Sequence, residues 1–396
     1  MKNNALSLKS FFPALLVILE LMVYLSNDMY LPAQPAVASL FHITASQVQY
    51  SLTAWFLGSM LLQLLMGPLV ERFGKNSILL IGGGVFVLAS LLCAVTHYYH
   101  LFLLGRFFQG TSVCTILVSG YAIIHGMFEQ KQAIKVLALM GSITILAPAF
   151  GPLIGVVFLK IAVWPLMFLC FSIVASLALL GMFFSLRDIP DPKNSTSVKA
   201  VFLAYKNISK NWGFMQHSIA GCLLLAGIIA WITSGPFLIT QIFHKPISIF
   251  AWSQLLIFGA FLLGMRLLNK IIDTINIKKL VKILYIPVIA IIGLTLIFLV
   301  INSANIYLFL IIFMGYAACA GILLPVVQRL AIEASTENMG YRMAFYFFNQ
   351  SIASVLASGL VAIFAAHSLG FILLFIIATL AIWIFIQLIS AFILAG

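Results

Sequence analysis

Twelve long apolar stretches run through this chain, and they limit its possible folds more than any other feature. A helix needs about 20 apolar residues to cross a bilayer, and each stretch is long enough to do so. The alternation of apolar and polar residues that a transmembrane β-barrel requires does not occur. Only 8% of the residues are charged, far fewer than in soluble domains. We therefore predict an all-α integral membrane protein with transmembrane helices at 11–36, 47–70, 77–97, 100–126, 134–159, 163–186, 214–241, 248–271, 281–301, 304–328, 341–366 and 370–394.

The longest polar stretch lies in the middle of the chain and divides the apolar stretches six and six. It is rich in Lys, Asn, Ser and Pro. Two parallel repeats joined by a basic connection would give this arrangement. We expect an N-terminal six-helix bundle at 1–187, a cytoplasmic central loop at 188–212 and a C-terminal six-helix bundle at 213–396.

Basic residues predict how the chain is oriented in the membrane. Among the Lys and Arg residues of the connections, only Lys160 and Lys245 follow odd-numbered apolar stretches. Because cytoplasmic connections carry the excess of Lys and Arg, both termini are predicted to be cytoplasmic. The net charge of +12 is thus explained by topology, and no nucleic-acid partner is expected.

An acidic stripe in the first apolar stretch is the leading candidate for a functional site. Glu20 and Asp28 lie about 80° apart around a helix and about 12 Å apart along it. Tyr24 and Asn27 fall between them on the same side, and two prolines downstream loosen the end of the helix. Carboxylates inside a membrane are costly and usually functional. The alternative is that Asp28 simply caps a helix near the lipid headgroups.

Arg106 lies within the fourth apolar stretch, where an isolated guanidinium needs an anion, carbonyl groups or water. Gln109 and Gly110 follow one turn later, and Gly110 and Gly120 offer a small-residue seam for close helix contact. Because Arg106 lies near the start of its stretch, snorkelling to the outer interface is the alternative.

Two segments rich in glycine have a composition that suits conformational change. The connection 67–82 combines turn-forming glycines with a charge cluster, through Gly67, Glu71, Arg72, Gly74 and Lys75. The segment 141–155 carries small residues and prolines, which suit a kinked helix packed closely on a neighbour. Its motif residues are Gly141, Pro148, Gly151, Pro152 and Gly155.

These segments resemble known motifs. The stretch 141–155 is similar to the antiporter signature of the major facilitator superfamily, which is found in its exporters. The connection 67–78 resembles the cytoplasmic loop motif of that superfamily, with Glu71 where Asp is usual. NDMYLPAQP at 27–35 resembles the Bcr/CflA drug-resistance transporters within it. RFFQG at 106–110 resembles the fourth-helix Arg motif of the superfamily. Glu20 together with Asp28, GY at 120–121 and the pattern at 138–155 resemble multidrug/proton antiporters. In the second half the similarity is weaker and is limited to AWITSGP at 230–236 and FGAFLLG at 258–264.

The resemblance implies a proton-coupled multidrug exporter of the bacterial inner membrane that contributes to antibiotic resistance. Proton coupling is expected at Asp28, Glu20 and Arg106. A carboxylate whose surroundings alternate between apolar and charged can bind and release a proton near neutral pH. The substrate-binding residues are expected to be Glu20, Tyr24, Asn27, Asp28, Tyr121 and Trp231.

Three alternatives remain at this stage. A dedicated exporter of an endogenous metabolite such as a siderophore would use the same fold, with Arg106 and Arg266 attracting an anionic cargo. Importers of carbohydrates, phosphate or amino acids also share the fold. A membrane enzyme has little support, because no histidine pairs with an acid or cysteine at useful spacing.

No cofactor or metal is expected, since the five cysteines lie singly in apolar stretches. We expect a monomer whose partners are protons, a small molecule and the lipid bilayer.

Overall fold

The computed structural model describes residues 2–186, 198–272, 274–275, 277–301, 305–364 and 368–393. Helices make up nearly all of these ranges, and no strand occurs within them. The chain divides into two compact units, of which the first comprises Met1–Ile43 and Ser51–Phe202 and the second Thr44–Tyr50 and Leu203–Gly396.

The first half of the chain contains eight of the helices. They are α1 (Lys2–Asp28), α2 (Gln34–Leu40), α3 (Ala45–Gln63), α4 (Met66–Phe73), α5 (Lys75–Val95), α6 (Tyr99–Met127), α7 (Gln130–Leu159) and α8 (Pro165–Leu186). A short 3-10 turn at Leu31–Ala33 joins α1 to α2.

The remaining helices follow the centre of the chain. They are α9 (Val198–Lys210), α10 (Trp212–Phe237), α11 (Ile247–Ile271), α12 (Ile277–Val300), α13 (Ile306–Glu333), α14 (Met339–Phe364) and α15 (Leu369–Ile393). A π-helical turn at Leu238–Ile242 extends α10.

The number of helices that could span a membrane agrees with the sequence. In the described ranges ten are long and apolar enough, with Phe11–Leu40 counted as one span. The pair α3 and α4, bent by 59° at a short break, supplies another. The 30-residue α7 contains the shorter apolar segment Leu146–Leu159, so the described helices are consistent with twelve spans. Helices dominate because backbone groups in hydrocarbon must be hydrogen-bonded within the chain.

Two details differ from the sequence expectation. The stretch 47–70 was expected as one helix, but it breaks between α3 and α4. The expected central loop 188–212 contains α9, and its first part lies outside the described residues. A repeat of apolar residues at helical spacing explains α9, because Val201, Ala204 and Ile208 form one buried face.

Glycines allow a close helix crossing in each unit. In the first unit, a Cβ at Gly58 would strike the Phe107 carbonyl, and one at Gly110 the Trp55 carbonyl. The second unit repeats this crossing between α11 and α13, through Gly264 against Ala318 and Gly321 against Phe261. In lipid, such backbone contact supplies packing energy that a hydrophobic effect between helices cannot.

Candidate functional site

The acidic stripe of α1 is buried inside the first unit. Glu20 is 1% exposed and Asp28 is 3% exposed, while Tyr24 is half-buried. Asp28 is the last residue of α1, where the 3-10 turn containing Pro32 begins to redirect the chain. Because Asp28 is buried well inside the span Phe11–Leu40, this position argues against a surface helix cap.

Arg106 of α6 points into the same interior and binds α1. One terminal nitrogen, Nη1, donates to the Ser26 carbonyl oxygen at 2.8 Å and to Gln109 Oε1 at 2.7 Å. The other, Nη2, donates to Asn27 Oδ1 at 2.9 Å. Arg106 is fully buried, so the snorkelling alternative is wrong.

Asn27 connects the positive charge to the acid. Its side-chain oxygen accepts from Arg106, and its Nδ2 donates to Asp28 Oδ1 at 3.3 Å. Both halves of the amide are therefore used, which fixes its orientation. No ion pair within 4 Å joins the described side chains of Arg106 and Asp28, so the two interact through Asn27 rather than directly.

A second group of residues holds Arg106 in place, and the sequence did not identify most of them. Gln109 accepts from Arg106 and donates its Nε2 proton to Ser90 Oγ on α5 at 2.8 Å. The guanidinium also lies over the Tyr30 ring, 4.9 Å from its centroid, and 5.8 Å from the Phe168 centroid. The i, i+3 spacing of Arg106 and Gln109 was the available sequence signal.

Glu20 has very different surroundings. Both of its carboxylate oxygens are buried and have no hydrogen-bond partner among the described residues. Tyr24 of α1 and Tyr121 of α6 lie within electrostatic range of it. A buried carboxylate without donors is costly as an anion. Glu20 is therefore available to a proton or to a positively charged ligand.

The glycine-rich part of α7 packs directly on the end of α1. A Cβ added at Gly151 would lie 2.7 Å from Asp28 Cβ, and one added at Gly155 would strike the Met29 carbonyl oxygen. In contrast, a Cβ at Gly141 would meet nothing within 4 Å. The expected close helix contact thus involves Gly151 and Gly155, and its partner is the segment that carries Asp28.

The connection between α4 and α5 forms a tight turn at Gly74, whose φ of 91° favours glycine. Lys75 donates to the Ala122 carbonyl oxygen at 3.3 Å, near the C-terminal end of α6. A cation there is favoured by the helix dipole. Arg72 is exposed and lies over the Phe73 ring. The conformational roles of these residues and of Gly67 and Glu71 stay predictions.

Trp231 lies in the second unit, in an aromatic cluster. Its ring contacts Phe250, Phe309 and Phe313, and its Nε1 donates to Gln254 Oε1 at 2.8 Å. A fully buried indole N–H with a partner is a stable packing arrangement. Its predicted role in substrate binding stays a prediction.

Arg266, which the metabolite-exporter alternative used to attract an anionic cargo, lies on α11 of the second unit. Its side chain is exposed, five residues before the end of α11. Among the residues that the structure describes, no group of three or more His, Cys, Asp or Glu side chains could hold a metal ion.

A sequence profile and a solved structure resemble this chain over most of its length. The sequence profile described as Major Facilitator Superfamily matches residues 16–358. A crystal structure titled as a bacterial homolog of the human lysosomal transporter Spinster superimposes with a TM-score of 0.65. It covers 91% of this chain and 82% of that chain at 14% identity, which is evidence for the fold alone.

Several similar sequences bear the name Multidrug transporter MdfA. The protein from Yersinia pestis bv. Antiqua (strain Angola) is 31% identical over 274 residues, 68% of this chain and 66% of its own length. The protein from Edwardsiella piscicida is 30% identical over 331 residues, 83% of this chain and 80% of its own length. The alignment with the Yersinia relative thus spans just under two thirds of that protein.

Proposed function

Because this chain belongs to the Major Facilitator Superfamily, we propose that it is a proton-coupled exporter of lipophilic, drug-like compounds. The relatives named as multidrug transporters support this cargo class over a dedicated metabolite. The expected setting is the inner membrane of a bacterium.

The observation that carries the proposal is the contrast between the two acids of α1. Asp28 is connected through Asn27 to the buried Arg106, whereas Glu20 has no described donor. A nearby positive charge stabilises a carboxylate anion, and an apolar site disfavours it. The two acids therefore respond differently to the same change in surroundings, so one can carry a proton while the other faces a substrate.

Transport would proceed without a covalent step. A substrate that binds at the stripe displaces a proton from it, and a proton that returns displaces the substrate. Alternating exposure of the stripe to the two sides of the membrane converts this competition into antiport. The proton gradient supplies the free energy for uphill export, and the cycle makes or breaks no covalent bond of the substrate.

Aromatic side chains would allow the site to accept substrates of different structure. Tyr24 and Tyr121 lie in electrostatic range of Glu20 and present rigid, partly apolar surfaces. We include Trp231 as a further candidate from the second unit. Such surfaces bind lipophilic compounds by area rather than by a fixed hydrogen-bond pattern, which suits a varied cargo.

The α7 contact offers a route from proton binding to movement. Gly151 and Gly155 touch Asp28 and Met29, so α7 packs against the residue whose charge changes. A change in the hydrogen bond between Asn27 and Asp28 would alter the end of α1 at this contact.

The test is uphill transport by an Asp28→Asn variant in proteoliposomes with an imposed pH gradient. The amide retains the shape of the side chain and an oxygen that can accept from Asn27, so the fold should survive. We expect uphill export of a lipophilic cationic dye to be lost, while movement down its gradient persists. Glu333→Gln, which neutralises an exposed acid, is the matched control. Uphill export by Asp28→Asn at the wild-type rate would rule out Asp28 as proton carrier.

A further inference from the structure

The helix α9 presents two opposite faces. At 100° per residue, Val201, Ala204, Tyr205 and Ile208 share one side, and all four are buried. Tyr205 contacts the rings of Tyr341 and Phe345 on α14. This side of α9 is therefore part of the protein core.

Its other face is basic and apolar at once. Lys199, Lys206 and Lys210 lie within a sector of about 40°, roughly opposite the buried stripe. Leu203 lies beside them and Phe202 at the edge, and these two side chains are 56% and 53% exposed. No carboxylate of the described residues lies within 4 Å of the ammonium groups of these lysines.

The position of α9 in the chain places it at a membrane surface. Asn211 separates it from α10 and caps that helix by accepting from the Phe214 backbone N–H at 2.9 Å. Trp212 begins α10, which is a membrane span, and is 59% exposed. Exposed tryptophans are enriched at membrane interfaces. The C-terminal end of α9 thus lies one residue from a helix that enters the bilayer.

Contacts on the neighbouring connection fix this position further. Asn207 donates to Glu337 Oε1 at 2.8 Å, and Asn211 Nδ2 donates to the Ala334 carbonyl oxygen at 2.8 Å. Both partners follow the end of α13. These contacts hold the C-terminal end of α9 beside the end of α13, next to the start of the membrane span α10.

We propose that the outward face of α9 binds the anionic headgroups of the adjacent lipid leaflet. The lysines supply charge complementary to lipid phosphates, and the exposed Phe202 and Leu203 supply apolar groups for the headgroup–acyl boundary. An acidic soluble protein would match the charges but would leave this apolar pair without a hydrocarbon environment. The proposal rests on the membrane-spanning fold and is independent of the cargo and of proton coupling.

Hydrogen–deuterium exchange of the full-length protein in lipid nanodiscs tests the proposal. Nanodiscs of phosphatidylcholine alone are compared with nanodiscs that contain one third phosphatidylglycerol. Three lysines at a surface favour anionic lipid by up to about a hundredfold at low salt. We expect backbone exchange in 198–210 to slow in the anionic nanodiscs, and 0.5 M KCl to reduce this protection by screening.

A matched pair of variants assigns the effect to α9. Lys199→Gln, Lys206→Gln and Lys210→Gln together should abolish the dependence on lipid charge, with exchange in α10 unchanged. The control variant removes the same charge from exposed positions of α11 and α12, by Lys270→Gln, Lys279→Gln and Lys282→Gln. In this variant, exchange in 198–210 should still depend on the lipid charge. Equal exchange of the wild type in both nanodiscs, or equal loss in both variants, would overturn the proposal. So would the same protection from soluble glycerol phosphate in phosphatidylcholine nanodiscs.

Discussion

Three glycines on α7 allow a graded test of the contact with α1. Alanine at Gly141 meets nothing within 4 Å, alanine at Gly151 places a methyl group 2.7 Å from Asp28 Cβ, and alanine at Gly155 strikes the Met29 carbonyl. All three substitutions gain the same helix propensity, about 1 kcal/mol in a helix interior. Differences among them therefore report packing against α1 alone.

The free-energy cost of each substitution follows from how far its added methyl group overlaps atoms of α1. Non-bonded heavy atoms settle near 3.5–4.0 Å, so alanine at 155 would force the two backbones apart by roughly 1 Å. Overpacking of this kind costs about 1–3 kcal/mol. That is about 5-fold to 150-fold in an equilibrium between conformations, at about 1.4 kcal/mol per tenfold. Gly151→Ala should cost less, because part of its overlap is with a side-chain atom.

The assay is proton-driven export in proteoliposomes, measured with the thermal stability of each purified variant. We expect Gly141→Ala to match the wild type, Gly151→Ala to be slower and Gly155→Ala slower still. Binding of substrate, measured separately, should persist in all three. Leucine at Gly151 or Gly155 should block turnover. If Gly155→Ala and Gly141→Ala transport at the same rate, the α1–α7 contact is ordinary packing and the reasoning fails.

Two further predictions concern cargo charge and topology. Glu20→Gln should weaken export of a lipophilic cation far more than export of a neutral antibiotic, because a charge pair at 4 Å is worth up to about 4 kcal/mol at an effective dielectric of 20. Paired growth-inhibition curves with an expression check measure this, and equal losses would indicate a structural or proton role for Glu20. A reporter that is active only in the cytoplasm should be active when fused after Gly396, because Lys and Arg cluster in the connections after even-numbered spans. Activity of a periplasmic reporter at that site would contradict the predicted orientation.

Sequence reasoning went furthest where one local pattern determines one structural feature. Uninterrupted apolar stretches determine membrane-spanning helices, since no other element satisfies the backbone there. The break of the first span after Asp28 follows from Pro32 and Pro35. Spacing alone also put Glu20, Asn27 and Asp28 on one stripe, and all three are buried.

It was less successful where length alone was the guide. The kink between α3 and α4 lies just before Gly67 and Pro68, but the predicted helix ran on to residue 70 because the apolar character continues across the kink. The sequence likewise gave no location for the side chain of Arg266, which also lies in an apolar stretch and is exposed. An apolar neighbourhood in the chain does not specify which way a helix turns a given side chain.

The sequence by itself determined the helices, their amphipathic or apolar character and the presence of unusual charges within them. Only the tertiary structure decided which of these charges meet. Arg106 binds Asn27, which lies 79 residues earlier in the chain, and interacts with Asp28 through it. Glu20 has no described hydrogen-bond donor. The sequence likewise did not indicate the partner of Gly151 and Gly155, which the structure shows to be Asp28 and Met29. Such pairings depend on how helices cross and rotate, which is set by packing of whole faces rather than by local residue pattern.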